Sequence, residues 1–112
     1  MITVLCGGVG AARFLRALRG IPDRVESTSV VGVVNTADDT VLHGLSISPD
    51  IDTITYTLAG AIDPERGWGL VDETWTAMRS LERYAAVRPD GSSAAPTWFN
   101  LGDQDLATHF YR

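Results

Sequence analysis

The chain has 112 residues, enough for one small domain or one part of a larger one. Its 45% hydrophobic and 21% charged content is ordinary for a globular sequence, and a formal net charge of -5 lacks the basic excess of a general nucleic-acid binder. All nine basic residues are arginine, which excludes a P-loop lysine, a Schiff-base lysine and a lysine general base within this stretch while leaving arginine forks for phosphate.

The single cysteine, Cys6, excludes an internal disulfide and a multi-cysteine zinc site, and two histidines, His43 and His109, disfavour a histidine-rich metal site. Met1 to Leu5 is too short for the apolar region of a signal peptide, and no positive segment precedes it. No apolar run approaches the ~18 residues of a membrane span. A reduced, cytoplasmic setting and no membrane partner are the expectation.

Ile2 to Cys6 predicts a buried first strand. Gly10 to Arg19 places Ala11, Phe14, Leu15 and Leu18 on one face and Arg13, Arg16 and Arg19 on the other, an amphipathic helix that Gly20 and Pro22-Asp23 terminate. Ser27 to Val34 is valine-rich and predicts a second buried strand, in a parallel sheet covered on both faces. Strand, glycine turn, helix and strand make one βαβ unit.

Val41 to Ser48 reads as a short strand or a structured loop. Asp50 is a candidate cap for a helix over 51–58, with Gly60 near its end. Residues 63–69 form a turn-rich loop. Asp72 is the expected cap of a helix reaching about Ala86, with Trp75, Met78, Leu81 and Ala85 as its buried stripe. Arg88 to Pro96 predicts a loop, Thr97 to Leu101 a third sheet strand, and Gly102-Asp103 the turn into a last helix reaching Arg112. With three or so strands supplied, residues 1–112 read as the N-terminal part of a single longer domain.

Two constellations carry chemistry. Gly7-Gly8-Val9-Gly10 follows the first strand, where glycines admit a phosphate to the backbone and a helix start offers free N–H donors. It matches neither the dinucleotide fingerprint, whose third glycine position is Arg13 here, nor the P-loop, whose Gly-Lys-Ser/Thr ending is missing. A tight turn without ligand is the alternative. Asn35, Thr36, Asp38 and Asp39 follow the second strand, and Asp50 and Asp52 come soon after. Such an oxygen-rich set suits a hard cation, and magnesium on substrate phosphates needs only one or two protein carboxylates. A solvated acidic loop is the plain alternative. The carboxyl ends of both strands lie on the edge where open α/β sheets bind ligands. His43 beside Gly44 reads equally as a phosphate contact, an acid or a packed loop histidine. His109 and Cys6 read as structural residues. Trp68 lines a ring-binding surface or anchors its loop, and Arg66 meets a phosphate or pairs with Glu65.

These stretches resemble a known family. Residues 7–15 (Gly-Gly-Val-Gly-Ala-Ala-Arg-Phe-Leu) and 33–39 (Val-Val-Asn-Thr-Ala-Asp-Asp) carry the likeness, and 43–45, 49–53, 56–58, 62–69, 73–75, 97–99, 101–103 and 105–109 continue it in order. The chain resembles the 2-phospho-L-lactate transferases of deazaflavin (coenzyme F-420) biosynthesis, which include the actinobacterial type that transfers phosphoenolpyruvate. The resemblance implies a Rossmann-like three-layer α/β fold with a mainly parallel sheet, in a full chain about three times this length.

It further implies transfer of a phospholactyl or phosphoenolpyruvyl group from a guanosine-diphosphate-linked donor to the ribityl hydroxyl of the deazaflavin precursor. GMP leaves, Mg2+ assists, and the enzyme is a homodimer. Asp52 matches the family's flavin-site aspartate, Asn100 falls near a second flavin contact, and Asp38 matches the metal-binding acid with Asp52 as its partner. The glycine turn matches the nucleotide phosphate region. Ala37, Val41 and Gln104 depart from the family's pattern, and residues 91–95 look like an insertion. A related regulatory family that binds a uridine diphosphate sugar shares the turn and fold, so a non-catalytic sensor is the alternative. A third reading is a fragment that alone catalyses nothing.

Overall fold

The computed structural model describes residues 1–21, 28–92 and 97–112. Strands and helices mix, with a parallel pair of strands, as an α/β chain requires. The contacts divide the chain into two units: residues 1–39 with 48–71, and residues 40–47 with 72–112. No helix among the described residues is long and apolar enough to cross a membrane.

The first unit begins with β1 (Ile2–Cys6), continues through α1 (Gly8–Arg19) and returns as β2 (Val30–Val34). The strands pair in parallel from Ile2↔Val30 to Cys6↔Val34, which is the expected βαβ connection. The helix starts two residues before the expected Gly10, and Gly20 closes it by donating to the Arg16 and Ala17 carbonyls. Arg16 and Arg19 in the last turn complement the helix dipole. The expected stop at Pro22-Asp23 lies outside the described residues, as does Ser27, where the second strand was expected to begin.

Alternation sets the core. Cys6, Ala12, Leu15 and Ile54 are buried together, with Val4, Val30 and Val34 packed against them. Side chains of opposite parity point the other way: Leu5 is 82% exposed and Val33 51%. The expectation of strands buried on both faces is therefore corrected. α1 covers one face of the two-stranded sheet, and among the described residues nothing covers Leu5 and Val33 on the other.

The second helix of the unit, α2 (Pro49–Leu58), starts earlier than the sequence reading had it. Pro49 occupies the first turn, where its fixed φ and missing N–H cost nothing, and Ser48 takes the cap position. Asp50 is thus inside the helix rather than its cap. In the loop that follows, the Asp63 carboxylate accepts from the amides of Glu65 and Arg66, each at 2.9 Å. The Arg66 guanidinium reaches the same carboxylate at 3.0 Å and stacks over Trp68, 5.3 Å from its ring centre. Arg66 thus pairs with Asp63, not with Glu65. Those donors, the Arg66 amide foremost, hold the Asp63 carboxyl below the ordinary range.

The second unit opens with a hairpin, β3 (Thr40–Leu42) against β4 (Leu45–Ile47). Its two-residue turn is His43-Gly44, both at positive φ (54° and 75°), the type I′ geometry that matches strand twist. Two helices follow, α3 (Thr76–Ala85) and α4 (Asp105–Tyr111). Leu42, Ile47, Met78 and Leu101 form their core, with Trp75, Phe99 and Leu106 packed on it. The expected stripe on α3 holds only at its start: Met78 is buried and Trp75 partly so, while Leu81 and Ala85 are exposed. The core is too short to reach the helix's later turns.

Each helix is capped by a residue that precedes the other. The Asp103 carboxylate accepts from the Thr74 hydroxyl at 2.6 Å and the Thr76 and Ala77 amides at 2.9 Å, capping α3. The Glu73 carboxylate accepts from the Gln104 and Asp105 amides at 2.8 and 3.2 Å, capping α4. A side chain at Gly102 would collide with Glu73, so only glycine admits this carboxylate. Asp72, the expected cap, instead sits outside the helix at positive φ (56°) and accepts Gln104 Nε2 at its carbonyl. The clamp also explains a second correction: 97–101 is not a strand. The backbone beyond it is committed to Thr74, whose carbonyl accepts the Asp103 amide at 2.8 Å. Residues 97–99 bend instead, with Trp98 and Phe99 edge to face.

Two outcomes check this account. The cap donors, the Thr74 hydroxyl first, lower the Asp103 carboxyl from 3.8 to about 2. Its folded value is depressed, so its stabilisation is complete above 3.8 and fades as pH falls to about 2. Asp103→Asn is expected to lower the urea midpoint at neutral pH and to flatten its fall across that window; parallel pH curves would contradict the cap. Met78→Ala empties a fully enclosed site and is expected to cost about 3 kcal/mol in urea unfolding.

Candidate functional site

The candidate site gathers at the carboxyl ends of β1 and β2, within the first unit. The Asn35 amide donates to the Cys6 carbonyl at 2.8 Å, extending the parallel ladder by one bond and bringing the residues after both strands side by side. Asn35 then works in two directions. Its Oδ1 accepts the Ala37 amide at 3.2 Å, and its Nδ2 donates to the Asp50 carboxylate at 2.8 Å. The second bond ties the loop after β2 to the first turn of α2.

Asp50 in turn lies on the glycine turn. A methyl placed on Gly7 would come within 2.9 Å of Asp50 Oδ2 and 3.1 Å of Asn35 Cβ. Gly7 is extended (φ -165°), so close approach rather than an unusual backbone angle requires glycine there. α1 starts from this turn with no side-chain cap and no acid in its first turn. A carboxylate held by Asn35 therefore rests beside the positive end of a helix.

The acidic loop closes through the Asp39 amide, which donates to the Thr36 carbonyl at 3.1 Å. Asp38 sits in this turn, exposed. Asp39 is engaged, its carboxylate accepting the Ser48 hydroxyl at 3.1 Å. Asp52 is buried in the first turn of α2. An open cleft of about 530 Å³ runs beside the turn, lined by Leu5, Cys6, Gly7, Ala11, Val33 and Asn35 among others.

The residues read from sequence thus fall into groups. Gly7, Gly8, Asn35 and Asp50 meet directly, and Thr36, Asp38 and Asp39 share the adjoining turn. Val9 lines a different groove, described below, and Gly10 is exposed. His43 and Asn100 belong to the second unit. His43 Nε2 is buried with no hydrogen-bond partner among the described residues, at the tip of the β3–β4 hairpin. His109 is structural in part: buried, it meets Asp105 Oδ2 at 3.1 Å across one helical turn. Asp103 and Glu73 are the residues that sequence reading missed. Their caps act across some thirty positions, and only the Gly102-Asp103 pair, read as a turn, pointed near them.

Comparison with known proteins gives the chain's family. The model of the family described as 2-phospho-L-lactate transferase CofD matches residues 2–112. A phosphoenolpyruvate transferase of Mycobacterium ulcerans (strain Agy99) is 50% identical over 119 residues, covering 99% of this chain and 34% of the relative. That of Nocardia farcinica (strain IFM 10152) is 50% identical over 111 residues, covering 99% and 30%. That of Mycobacterium tuberculosis (strain ATCC 25618 / H37Rv) is 48% identical over 121 residues, covering 99% and 34%. The chain spans about a third of the length of these relatives. A match over nearly every residue, glycine turn and acidic loop included, shows that the chain belongs to the 2-phospho-L-lactate transferase CofD family.

Proposed function

We propose that the protein of which these residues form part is a transferase of coenzyme F-420 biosynthesis. It moves a phosphoenolpyruvyl or phospholactyl group from a guanosine-diphosphate-linked donor to the ribityl hydroxyl of the deazaflavin precursor, releasing GMP. The likeness to the actinobacterial enzymes, named for phosphoenolpyruvate, favours the enolpyruvyl donor. The reading carries with it a cytoplasmic homodimer acting on small molecules.

The observation that supports it is the Asn35-held carboxylate of Asp50 beside the glycine turn. A phosphate at that turn would gain from the N–H donors of α1 yet face a negative charge. Two like unit charges ~4 Å apart repel by about 4 kcal/mol at an effective dielectric near 20. A divalent cation offsets that repulsion. The carboxylate oxygens of Asp38 and Asp52 are the donor type that suits Mg2+. In this reading Asp38 and Asp52 hold the ion, which when bound neutralises charge on the transferring phosphoryl and on departing GMP.

The chain's own residues do the remaining work. The backbone of Gly7, Gly8, Val9 and Gly10 receives the phosphate, while Asn35, Thr36, Asp39 and Asp50 contact substrate. Asp52 orients the acceptor hydroxyl and takes its proton. Phosphoryl transfer of this kind rests on positioning and electrostatics rather than on a covalent intermediate.

Two measurements test the reading in the full-length protein. Asp52→Asn is expected to lower turnover at least ~100-fold, the scale of a lost proton acceptor; near-normal turnover removes Asp52 from the chemistry. Asp50→Asn keeps the shape of the Asn35 bond but removes the charge, so GMP is expected to bind more tightly than to wild type when Mg2+ is absent. Unchanged metal-free affinity would contradict the placement of phosphate at the turn. Tight binding of a uridine diphosphate sugar, without deazaflavin binding, would replace the transferase by a sensor.

A further inference from the structure

A groove of about 450 Å³ lies on the other side of α1 in the first unit. Val9, Arg13 and Arg16 of that helix, Thr57 of α2, and Asp63 and Gly67 of the following loop are among its walls. It shares no lining residue with the cleft beside the glycine turn. Ala12 and Leu15 face the core, so Arg13 and Arg16 project away from it, three positions apart on one helical face.

The charges of this groove are unbalanced. Among the described residues Asp63 is its one acidic lining residue, and that carboxylate already accepts the Glu65 and Arg66 amides and the Arg66 guanidinium. Arg13 and Arg16 pair with no carboxylate among the described residues. In a chain of formal net charge -5, two unpaired guanidinium forks in one concavity stand out against the overall sign. Arg13 also meets the loop: its Nη2 lies 3.3 Å from where a side chain on Gly67 would begin, so a glycine there lets the guanidinium rest against the loop backbone.

We propose that this groove is a second anion site, separate from the glycine turn, that takes a phosphate-type oxyanion between Arg13 and Arg16. A carboxylate has oxygens for one fork; a phosphate or diphosphate has enough for both. The donors point to the phosphate, which free polyphosphate and a nucleotide share. The site stands independently of the transferase reading.

The test is a titration of the full-length protein, isotopically labelled and free of Mg2+, with inorganic pyrophosphate and separately with GMP, followed by amide and arginine side-chain NMR shifts. Saturable shifts are expected at Arg13, Arg16 and Gly67, weakening as salt is raised. Arg13→Gln with Arg16→Gln is expected to weaken binding at least tenfold. Tighter GMP than pyrophosphate identifies a nucleotide as the source, and the reverse identifies free polyphosphate. Shifts at Gly7 to Gly10 report the glycine turn and leave this site undisturbed; no shift at Arg13, Arg16 and Gly67 with either ligand, shifts there that never saturate, or a double variant that binds there like wild type would each overturn the proposal. The map on unmodified protein decides by itself should the double variant fail to fold.

Discussion

One hydrogen bond organises the ligand edge of the first unit: Asn35 Nδ2 to the Asp50 carboxylate. It joins the loop after β2 to the start of α2, and it sets Asp50 against the glycine turn after β1. Three segments separated by tens of residues are thereby drawn to one end of the sheet. The glycine at position 7 follows from that contact, because a methyl group would intrude on both partners. A turn that reads from sequence as shaped for a phosphate is thus shaped first for a carboxylate of the chain itself. This gives physical content to the metal dependence in the proposed chemistry: an anion entering beside Asp50 needs its repulsion offset.

The second unit solves a different problem by similar means. It has few buried apolar side chains, and its helices are short. Short helices leave a large share of their N–H groups without internal partners. The Asp103 and Glu73 carboxylates meet that need reciprocally, so that each helix start depends on the segment leading into the other. In the first unit the corresponding start of α1 has no side-chain cap among the described residues, which is the opening the proposed phosphate would use.

Much of this was legible in sequence because it rests on local pattern. The period of Ala11, Leu15 and Leu18 marked α1, the apolar runs marked β1 and β2, and the order of strand, glycine turn, helix and strand implied the βαβ unit in which β1 and β2 pair in parallel. The order of motifs was enough to reach the family. What failed was whatever depends on partners distant along the chain. Asp50 and Asp72 looked like helix caps because each precedes a helical stretch, yet Pro49 starts one helix earlier and Asp103 caps the other from afar. Thr97 to Leu101 has strand-like residues, but its backbone continues into the clamp with Thr74. The exposure of Leu5 and Val33 was illegible for a related reason: an apolar run states that a face wants cover, not that cover is present.

The central claim is that a divalent ion joins the glycine turn to Asp38 and Asp52. Manganese in place of magnesium tests it most directly, since its unpaired electrons broaden the NMR signals of nearby amides. With GMP present, the account predicts loss of signal concentrated at residues 7–10, 38 and 52, reversed by excess magnesium. Broadening centred elsewhere, or spread evenly over the acidic surface, would contradict it.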